Sequence, residues 1–484
     1  MKKIYHIAVA IFGAALWLFF ALCCYGQLHS VEGDSLFLFT GEFAKDVLIQ
    51  KGGLSNYIGA FIVQFFSMPW LGSLILSLML CAMALSLGRL CRSDSLLPLT
   101  LAPSAIFAVL LCDPKWTVAG AAAITLINGL AALVMRIRSK WLKIGAGLIA
   151  ATISVLWILP AKFYTYLESP IWAWWLIVAI DAAIIAICSF VKTGRGKQWS
   201  TIVICAIILA GTVFGALKVR NPLDEEISRY TYMVRTSDWD GILDYSKKHS
   251  VNSPLSTNAI NLALSMKGRM GDELFNYFQR GQRSLINFEE RKLSSEILFH
   301  LGFVNEAIHV AFEDMACNPS RERGAYHLTR LATFTSIGER NQALSERYLE
   351  TLHHTLFYRH FSPRTDGVSA EMEPSEDFFF DYGNLGRMAG TLYGQRTGNT
   401  RARDYYAASL LLDKNLVELY ENFSDEEQLP RHWVEAFDLL VALNGGPVDP
   451  KLQGYVDAYH RCQGKEAGMS RYSNTYWYYH NFAR

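Results

Sequence analysis

The chain has 484 residues, of which 51% are hydrophobic and only 18% are charged. This balance is too apolar for an ordinary soluble enzyme and indicates a membrane protein. Residues 1–220 contain 17 Lys/Arg and 8 Asp/Glu, whereas residues 221–484 contain 28 and 36, so a basic part precedes an acidic part. The acidic second part argues against nucleic acid as a partner, because phosphate binding needs a basic face.

Residues 1–220 contain seven apolar runs of about the length that a spanning helix needs. The first run follows Lys2 and Lys3, is long, and has no small-residue cleavage site after it, which predicts a retained helix rather than a cleaved signal peptide. The third run is short and could be partly interfacial. The seven runs lie near residues 4–25, 70–89, 97–112, 116–135, 142–160, 170–190 and 199–217.

The basic residues between these runs predict the topology. Eleven of them fall on one side with a single acid, Asp94, whereas acids balance the basic residues on the other side. By the positive-inside rule, the amino terminus is cytoplasmic and everything after residue 220 is extracytoplasmic. The sequence therefore predicts a multi-pass protein of the cytoplasmic (inner) membrane. The eleven residues are Lys2, Lys3, Arg89, Arg92, Arg136, Arg138, Lys140, Lys143, Lys192, Arg195 and Lys197, and the balanced side includes Lys162 and Glu168.

Residues 221–484 change to amphipathic helices with almost no strand signal. Glycines recur at intervals of 34 and 36 residues, and an alanine follows two of them at the same offset. This pattern resembles the tetratricopeptide repeat (TPR), in which a small residue lets paired helices approach closely; an irregular helical bundle is the alternative. The residues concerned are Gly268, Gly302, Gly338, Ala307, Ala343 and Pro319, and the predicted helices are 238–249, 255–267, 271–281, 287–301, 304–316, 321–336, 340–357, 401–423, 430–444 and 450–462.

Two segments of the second part interrupt or end this pattern. Residues 362–384 contain prolines, glycines and six acids, which predict an exposed loop whose aromatic end docks back on the helices through Phe378, Phe379 and Phe380. The terminal segment SNTYWYYHNFAR is interpreted as an aromatic plug of the helical part rather than a ligand site. Of the nine cysteines, only Cys317 and Cys462 lie in the second part, where an oxidising compartment would allow them to pair.

No Walker A, GxSxG, HExxH or Rossmann motif occurs, and no CxxC pair suggests a zinc site. Adjacent His353 and His354 point about 100° apart on a helix, so with His360 they are interpreted as surface histidines. Asp181 lies in the middle of the run IWAWWLIVAIDAAIIAICSF. An intramembrane carboxylate is costly and is a candidate functional residue facing the bundle interior, although a neutral structural Asp is the alternative.

The connection between the first two runs, residues 26–69, combines acids with apolar residues at helical spacing. In VEGDSLFLFTGEF it carries Glu32, Asp34 and Glu42, and GGLSNYIGAFIVQFFSMPWLG follows. These residues resemble the GT-C superfamily of polyprenyl-phosphate-sugar-dependent glycosyltransferases, in which an acid after the first span serves as catalytic base or metal-linked carboxylate. The resemblance implies catalytic roles for Asp34, with Glu32 or Glu42 in support. It also implies a lipid-linked sugar as substrate and a divalent metal as candidate cofactor. The alternative is that these acids are solvated residues of surface helices.

The sequence thus predicts an all-α protein in two domains. Residues 1–220 form a bundle of about seven spans with an external loop, and residues 221–484 form a soluble, extracytoplasmic TPR-like domain with an irregular loop near 362–384. The whole chain also resembles an uncharacterised family of bacterial membrane proteins of this layout. Two functions follow: a GT-C-like membrane glycosyltransferase, or a non-enzymatic scaffold that binds envelope proteins through its helical domain. A transporter that uses Asp181 is a weaker third option.

Overall fold

The protein is all-α. A computed structural model describes residues 2–160, 171–190, 198–317, 324–337, 341–374 and 379–483, and no β-strand occurs in those ranges. The predicted fold class is therefore confirmed at the level of helix content. The predictions that concern Lys162, Glu168, Lys192, Arg195, Lys197, Pro319, Gly338 and Phe378 fall outside the described residues.

The first half of the chain contains long apolar helices and shorter connecting ones. A stretch of 3₁₀-helix covers Gln64–Ser67, another covers Asp94–Leu101, and a π-helical turn covers Ser154–Ile158. The α-helices are α1 Lys2–Cys23, α2 Tyr25–Gly33, α3 Gly41–Leu48, α4 Gly53–Val63, α5 Pro69–Leu90, α6 Ala102–Leu110, α7 Val118–Met135, α8 Lys140–Ile153, α9 Ile171–Phe190 and α10 Gln198–Val219.

The second half is built from shorter helices. Stretches of 3₁₀-helix cover Leu274–Asn276, Ala370–Met372 and Glu466–Tyr472. The α-helices are α11 Pro222–Arg235, α12 Trp239–Lys248, α13 Pro254–Met266, α14 Met270–Glu273, α15 Arg291–Leu301, α16 Val304–Cys317, α17 Ala325–Phe334, α18 Gln342–His353, α19 Leu385–Gln395, α20 Thr400–Leu412, α21 Leu416–Phe423, α22 Arg431–Leu443, α23 Pro450–Arg461 and α24 Tyr476–Phe482.

Five helices in the described part are both long and apolar enough to cross a membrane. They are Lys2–Cys23, Pro69–Leu90, Val118–Met135, Lys140–Ile158 and Gln198–Val219. Two further apolar helices, Asp94–Leu110 and Trp174–Cys188, are shorter. The first of these is interrupted: Pro98 lies inside the 3₁₀ stretch and Pro103 is the second residue of α6. A proline cannot donate the backbone hydrogen bond that a continuous α-helix requires. The total of seven spans remains a prediction.

The contacts divide the chain into two compact units. Unit 1 contains Met1–Ser228 together with two later segments, Met315–Thr329 and Tyr348–Phe361. Unit 2 contains Arg229–Asp314, Arg330–Arg347 and Ser362–Arg484. The predicted division of the chain into a bundle of residues 1–220 and a domain of residues 221–484 stays a prediction.

The core of unit 1 lies where α1, α5 and α7 pack side by side, with α4 against α7 and α6 against α10. Apolar side chains such as Phe12 and Leu80 are buried there. The Tyr5 hydroxyl is satisfied inside this core, since it donates to the Ala84 carbonyl oxygen at 2.9 Å. Gly59 lets α4 approach α7 closely, because a Cβ at this position would lie 2.8 Å from the Ala119 Cα.

Unit 2 differs from the predicted helices in three places. The predicted helix 401–423 is two helices, α20 and α21, because Lys414 takes a positive φ of 60° and Asn415 caps the second helix. The predicted helix 271–281 is only the short α14 and a 3₁₀ turn. Helix α19 was not predicted, since its sequence LGRMAGTLYGQ contains three glycines. Two of them let it pack tightly on α20: a Cβ at Gly390 would lie 2.8 Å from the Tyr406 ring.

Only some residues of the predicted repeat have the close packing that a TPR would give them. Gly302 ends α15 with a φ of +102°, and a Cβ there would lie 2.6 Å from the Met372 carbonyl oxygen, so glycine is needed. Ala307 is fully buried, but Ala343 is exposed. The two alanines therefore do not share the environment that a common repeat unit would give them, and the TPR-like domain stays a prediction.

The aromatic segments of unit 2 pack as follows. Phe380 is buried with its ring 5.0 Å from that of Phe303, whereas Phe379 is 85% exposed, so the predicted docking through Phe379 is wrong. At the carboxy terminus, Tyr476, Trp477 and Tyr479 are buried, as the plug interpretation expects. Cys317 and Cys462 are both free thiols in the structure.

Candidate functional site

Helix α2 begins directly after the first long apolar helix, and a carboxylate from much later in the chain caps it. The Gly26 N–H donates to Oε1 of Glu225 at 2.8 Å, and the Gln27 N–H donates to Oε2 at 2.9 Å. A negative charge at this position satisfies free backbone donors and complements the helix dipole. Glu225 therefore fixes the start of α2 next to the beginning of α11.

Glu32 lies in the last turn of α2 and is only 3% exposed. Its Oε1 accepts a hydrogen bond from the Tyr358 hydroxyl at 2.8 Å. Tyr358 is held in turn by its backbone, because its N–H donates to the Thr355 hydroxyl at 3.1 Å. The structure thus orients the Glu32 carboxylate through a residue more than 300 positions away in the sequence.

Asp34 and Glu42 lie in different surroundings. Asp34 is partly exposed and ends α2, where its N–H donates to the Ser30 carbonyl oxygen at 3.0 Å. Glu42 is exposed in the first turn of α3, a position where an acid stabilises the helix. Thr40 caps the same helix by accepting from the Phe43 N–H at 3.2 Å. Of the three predicted carboxylates, Glu32 is the one that the fold buries and orients.

Two backbone hydrogen bonds join the residues after α2 to the two later segments of unit 1, Met315–Thr329 and Tyr348–Phe361. The Ala325 N–H donates to the Ser35 carbonyl oxygen at 3.0 Å, and the Phe39 N–H donates to the His354 carbonyl oxygen at 2.8 Å. Gly324 makes this approach possible, because a Cβ there would lie 2.8 Å from the Asp34 Cα. The connection formed by residues 26–69 is therefore held within unit 1 by specific contacts.

These segments enclose a cleft beside Glu32. It contains about 290 Å³ of space, part of it continuous with solvent, and its narrow interior has room for about one water molecule. Apart from the glutamate, its lining is mostly apolar side chains and a few hydroxyl and amide groups. The lining residues are Glu32, Ser35, Leu36, Phe37, Ala60, Gln64, Ala325, Thr355, Leu356, Phe357 and Tyr358.

An aromatic cluster lies behind one wall of the cleft, which two of its members, Phe37 and Phe357, line. The ring of Phe37 lies 5.0 Å from that of Tyr57 and 5.5 Å from that of Phe61. Phe65 continues the cluster to Phe357, at a ring distance of 5.6 Å. Edge-to-face pairs of this kind stabilise packing beyond the area they bury. The wall is therefore a rigid apolar surface next to a single buried carboxylate.

The donor groups of the cleft do not form a three-ligand metal centre. No group of three or more His, Cys, Asp or Glu side chains that could hold a metal ion occurs within the described ranges. Glu32 is the one carboxylate among the lining residues of the cleft, so these residues do not fit a divalent metal. His353, His354 and His360 are exposed, and His354 contributes only its backbone carbonyl to the loop contact.

Asp181 is separate from the cleft and has a partner that sequence reasoning missed. It is 2% exposed in α9, and its Oδ1 accepts a hydrogen bond from Nδ2 of Asn128 in α7 at 3.2 Å. Asn128 is fully buried. Its place in the run AAAITLINGLAALVM is a polar interruption that could have been noticed, whereas nothing in the sequence signals that Tyr358 reaches Glu32.

These features define the class of the protein: an all-α chain whose several apolar helices are compatible with a membrane protein. More particularly, the chain belongs to the family of unknown function DUF6057, whose model matches residues 1–483. This confirms the predicted membership of a family without an assigned activity. No curated protein and no solved structure matches the chain.

Proposed function

We propose that the protein is an integral protein of the cytoplasmic membrane that transfers a glycosyl group from a lipid-linked donor at the outer face. The single observation that carries this proposal is the buried Glu32 carboxylate, oriented by Tyr358 at an apolar cleft directly after the first long apolar helix. The GT-C resemblance of the same stretch supports it. The structure favours Glu32 over Asp34 as the base, because only Glu32 lines the cleft.

The topology is part of the proposal. The charge distribution supports a cytoplasmic amino terminus. The hydrogen bonds from Gly26 and Gln27 to Glu225 support placing the residues after α1 and after α10 on the same side of the membrane. An even number of crossings must then separate them, which a total of seven spans satisfies.

The proposed step uses Glu32 as general base. Its carboxylate takes the proton from an acceptor hydroxyl, and the oxygen so activated bonds to the anomeric carbon of the donor sugar. The bond between that carbon and the phosphate oxygen breaks, and the lipid phosphate leaves with the bonding electron pair. Because the interior of the cleft is narrow, the sugar lies at its mouth and only the acceptor hydroxyl reaches Glu32. The Tyr358 hydroxyl keeps the carboxylate pointed at that position.

Replacement of Glu32 tests the proposal. Glu32→Gln keeps the size of the side chain but removes the base, so we expect glycosyl transfer to fall by at least about a hundredfold. Each variant is expressed in a strain that lacks the natural gene, and the glycolipids are analysed by mass spectrometry. Loss of transfer should appear as accumulation of the lipid-linked donor sugar. Protein levels in the membrane are measured alongside.

Matched variants separate this role from a merely structural one. Tyr358→Phe should lower transfer by about tenfold, the loss of one hydrogen bond to a charged group. Glu42→Gln, at an exposed helix start, should leave transfer unchanged, and Asp34→Asn should affect it less than Glu32→Gln. Normal lipid profiles in Glu32→Gln membranes, with normal protein levels, would contradict the enzymatic role.

A scaffold is the second candidate, and a specific surface favours it. Val417 and Tyr420 on α21, with Val434 and Val441 on α22, expose apolar side chains in unit 2. Because α21 and α22 are neighbours, these exposed apolar side chains could contribute to a protein-binding surface. If Glu32→Gln retains full function while Val434→Asp abolishes it without loss of protein, the scaffold replaces the glycosyltransferase.

A further inference from the structure

The buried polar pair between α7 and α9 has no role in the proposed transfer step. Asp181 lies in the middle of α9, and Asn128 lies in the second half of α7. Both are buried, at 2% and 0% exposure, among helices composed almost entirely of apolar residues. Side chains of this kind inside an apolar bundle are expensive to bury and therefore indicate a site.

The hydrogen bonding of the Asp181–Asn128 pair is incomplete, and the cost of this depends on whether Asp181 is ionised. The Asn128 amide donates one hydrogen bond to Asp181, whereas Oδ1 of Asn128 has no hydrogen-bond partner among the described residues. One bond from a neutral amide compensates little of the cost of an ionised carboxylate away from water. The ionised form of the pair is thus poorly stabilised on both members.

Binding of a proton changes this balance. A protonated Asp181 carries an O–H that needs an acceptor, and the two ends of an Asn side chain are nearly the same size. Rotation of the Asn128 amide by half a turn places its Oδ1 where Nδ2 lies, at 3.2 Å from the Asp181 oxygen. The same two side chains can therefore pair in both protonation states.

Among the described residues, no charged side chain of the neighbouring elements compensates the charge of an ionised Asp181. Helices α5, α6 and α7 and the 3₁₀ stretch Asp94–Leu101 pack against α9. Helices α6 and α7 carry no ionisable side chain, and α5 carries Cys81 and an exposed Arg89. Asp94 lies near the level of Cys188, since the Arg92 N–H donates to the Cys188 carbonyl oxygen. Asp181 lies seven residues earlier in α9, roughly 10 Å along the helix.

We infer that Asp181 and Asn128 form a proton-binding site inside the bundle of apolar helices. The site is independent of Glu32 and would bind its proton whether or not the cleft transfers sugar. It gives the bundle a group whose charge can change within the membrane, which is the element that proton-coupled membrane proteins require.

Carbodiimide labelling tests this inference on the full-length protein in membranes. Dicyclohexylcarbodiimide is apolar and reacts with protonated carboxylic acids, so mass spectrometry should find the adduct on Asp181 at neutral pH and progressively less of it as the pH is raised. Asp181→Asn should lose the adduct, and the exposed Asp46 should not acquire it. Asn128→Leu removes the partner in both protonation states, but the hydrogen bond to the ionised carboxylate is the stronger one, so labelling should persist to a proton concentration about tenfold lower than in the wild type.

An infrared measurement covers the case in which the reagent fails to reach the site. The carbonyl band of a protonated carboxylic acid should be present in the wild type and absent in Asp181→Asn. Absence of both the adduct and the band at neutral pH would overturn the inference. So would protection of Asp181 from labelling by sodium at fixed pH, with choline as control, because the ligand would then be a metal cation.

Discussion

Glu435 in α22 makes polar contacts that join the carboxy-terminal helix to the rest of unit 2. Its Oε2 accepts from the Tyr476 N–H at 2.7 Å and from Nδ1 of His432 at 3.0 Å. Nε2 of His432 faces the Phe275 N–H, which fixes the tautomer that donates to Glu435. Oε1 of Glu435 pairs with Nε of Arg431 at 2.8 Å. This one carboxylate therefore ties the aromatic terminal segment to the helices beneath it.

The same contacts predict how the terminal helix responds to acid. Burial by itself raises the pKa of Glu435, but the hydrogen bonds from His432 and from the Tyr476 N–H, with the Arg431 charge, together hold the pKa below its ordinary value. A carboxylate with a depressed folded-state pKa contributes stability above its unfolded pKa and loses it as the pH falls through the folded value. We therefore expect α24 to keep its protection from hydrogen exchange from neutral pH down to about pH 4, the ordinary pKa of a glutamate, and to lose it as the pH falls further.

Glu435→Gln should remove this pH dependence and lower the stability of the α24 contact by about 1–3 kcal/mol. Hydrogen–deuterium exchange of α24, corrected for the intrinsic effect of pH, measures both changes. Glu421→Gln, an exposed position on α21, is the matched control and should behave as the wild type. An unchanged pH response in Glu435→Gln would assign the acid sensitivity to another group.

At the scale of elements, the stretch from α2 to α4 is held in place from several directions. The Trp157 indole N–H donates to the Leu48 carbonyl oxygen at 2.7 Å, and the Ser55 hydroxyl donates to the Ile158 carbonyl oxygen at 2.6 Å. Together with the Glu225 cap and the bonds of Ser35 and Phe39, these contacts leave the loop few ways to move as a whole. A side chain in it, such as Glu32, is therefore positioned as well as one on a regular helix.

The close approach of Gly324 to the end of α2 should be the contact of this stretch that is most sensitive to substitution. Gly324→Ala places a methyl group against the Gly33 carbonyl oxygen and the Asp34 backbone, so the two segments must separate at a cost of about 1–3 kcal/mol. Faster hydrogen exchange at the Ala325 amide and a lower melting temperature should report the change. Gly41→Ala, also at a helix start but with no atom within 4 Å of the added Cβ, should be neutral or slightly stabilising. Equal behaviour of the two variants would contradict the close approach.

At the scale of the whole molecule, the prediction concerns topology. A reporter enzyme that is active only outside the cytoplasm should be active when fused after Lys51 and after Arg220, and inactive when fused after Arg138. The first two positions should agree because the Gly26 and Gln27 amides both reach Glu225. Opposite results at Lys51 and Arg220 would contradict that contact, whereas activity only after Arg138 would reverse the predicted orientation.

The sequence by itself determined the all-α class, the apolar helices and many helix ends. These properties follow from local rules: the length of the apolar runs and the amphipathic spacing of the helices after residue 220. The same rules failed where local preference and packing disagree. Helix α19 forms despite its glycines because those glycines fit it against α20.

Only the tertiary structure decided which carboxylate is buried and what orients it. The sequence made Asp34 the first catalytic candidate and Glu32 a supporting one. Nothing in VEGDS indicates which of the two carboxylates is buried. The fold turns Glu32 inward to Tyr358 and leaves Asp34 partly exposed. It likewise pairs Asp181 with Asn128, 53 positions away. Such pairings depend on contacts between distant parts of the chain, which no local pattern of residues encodes.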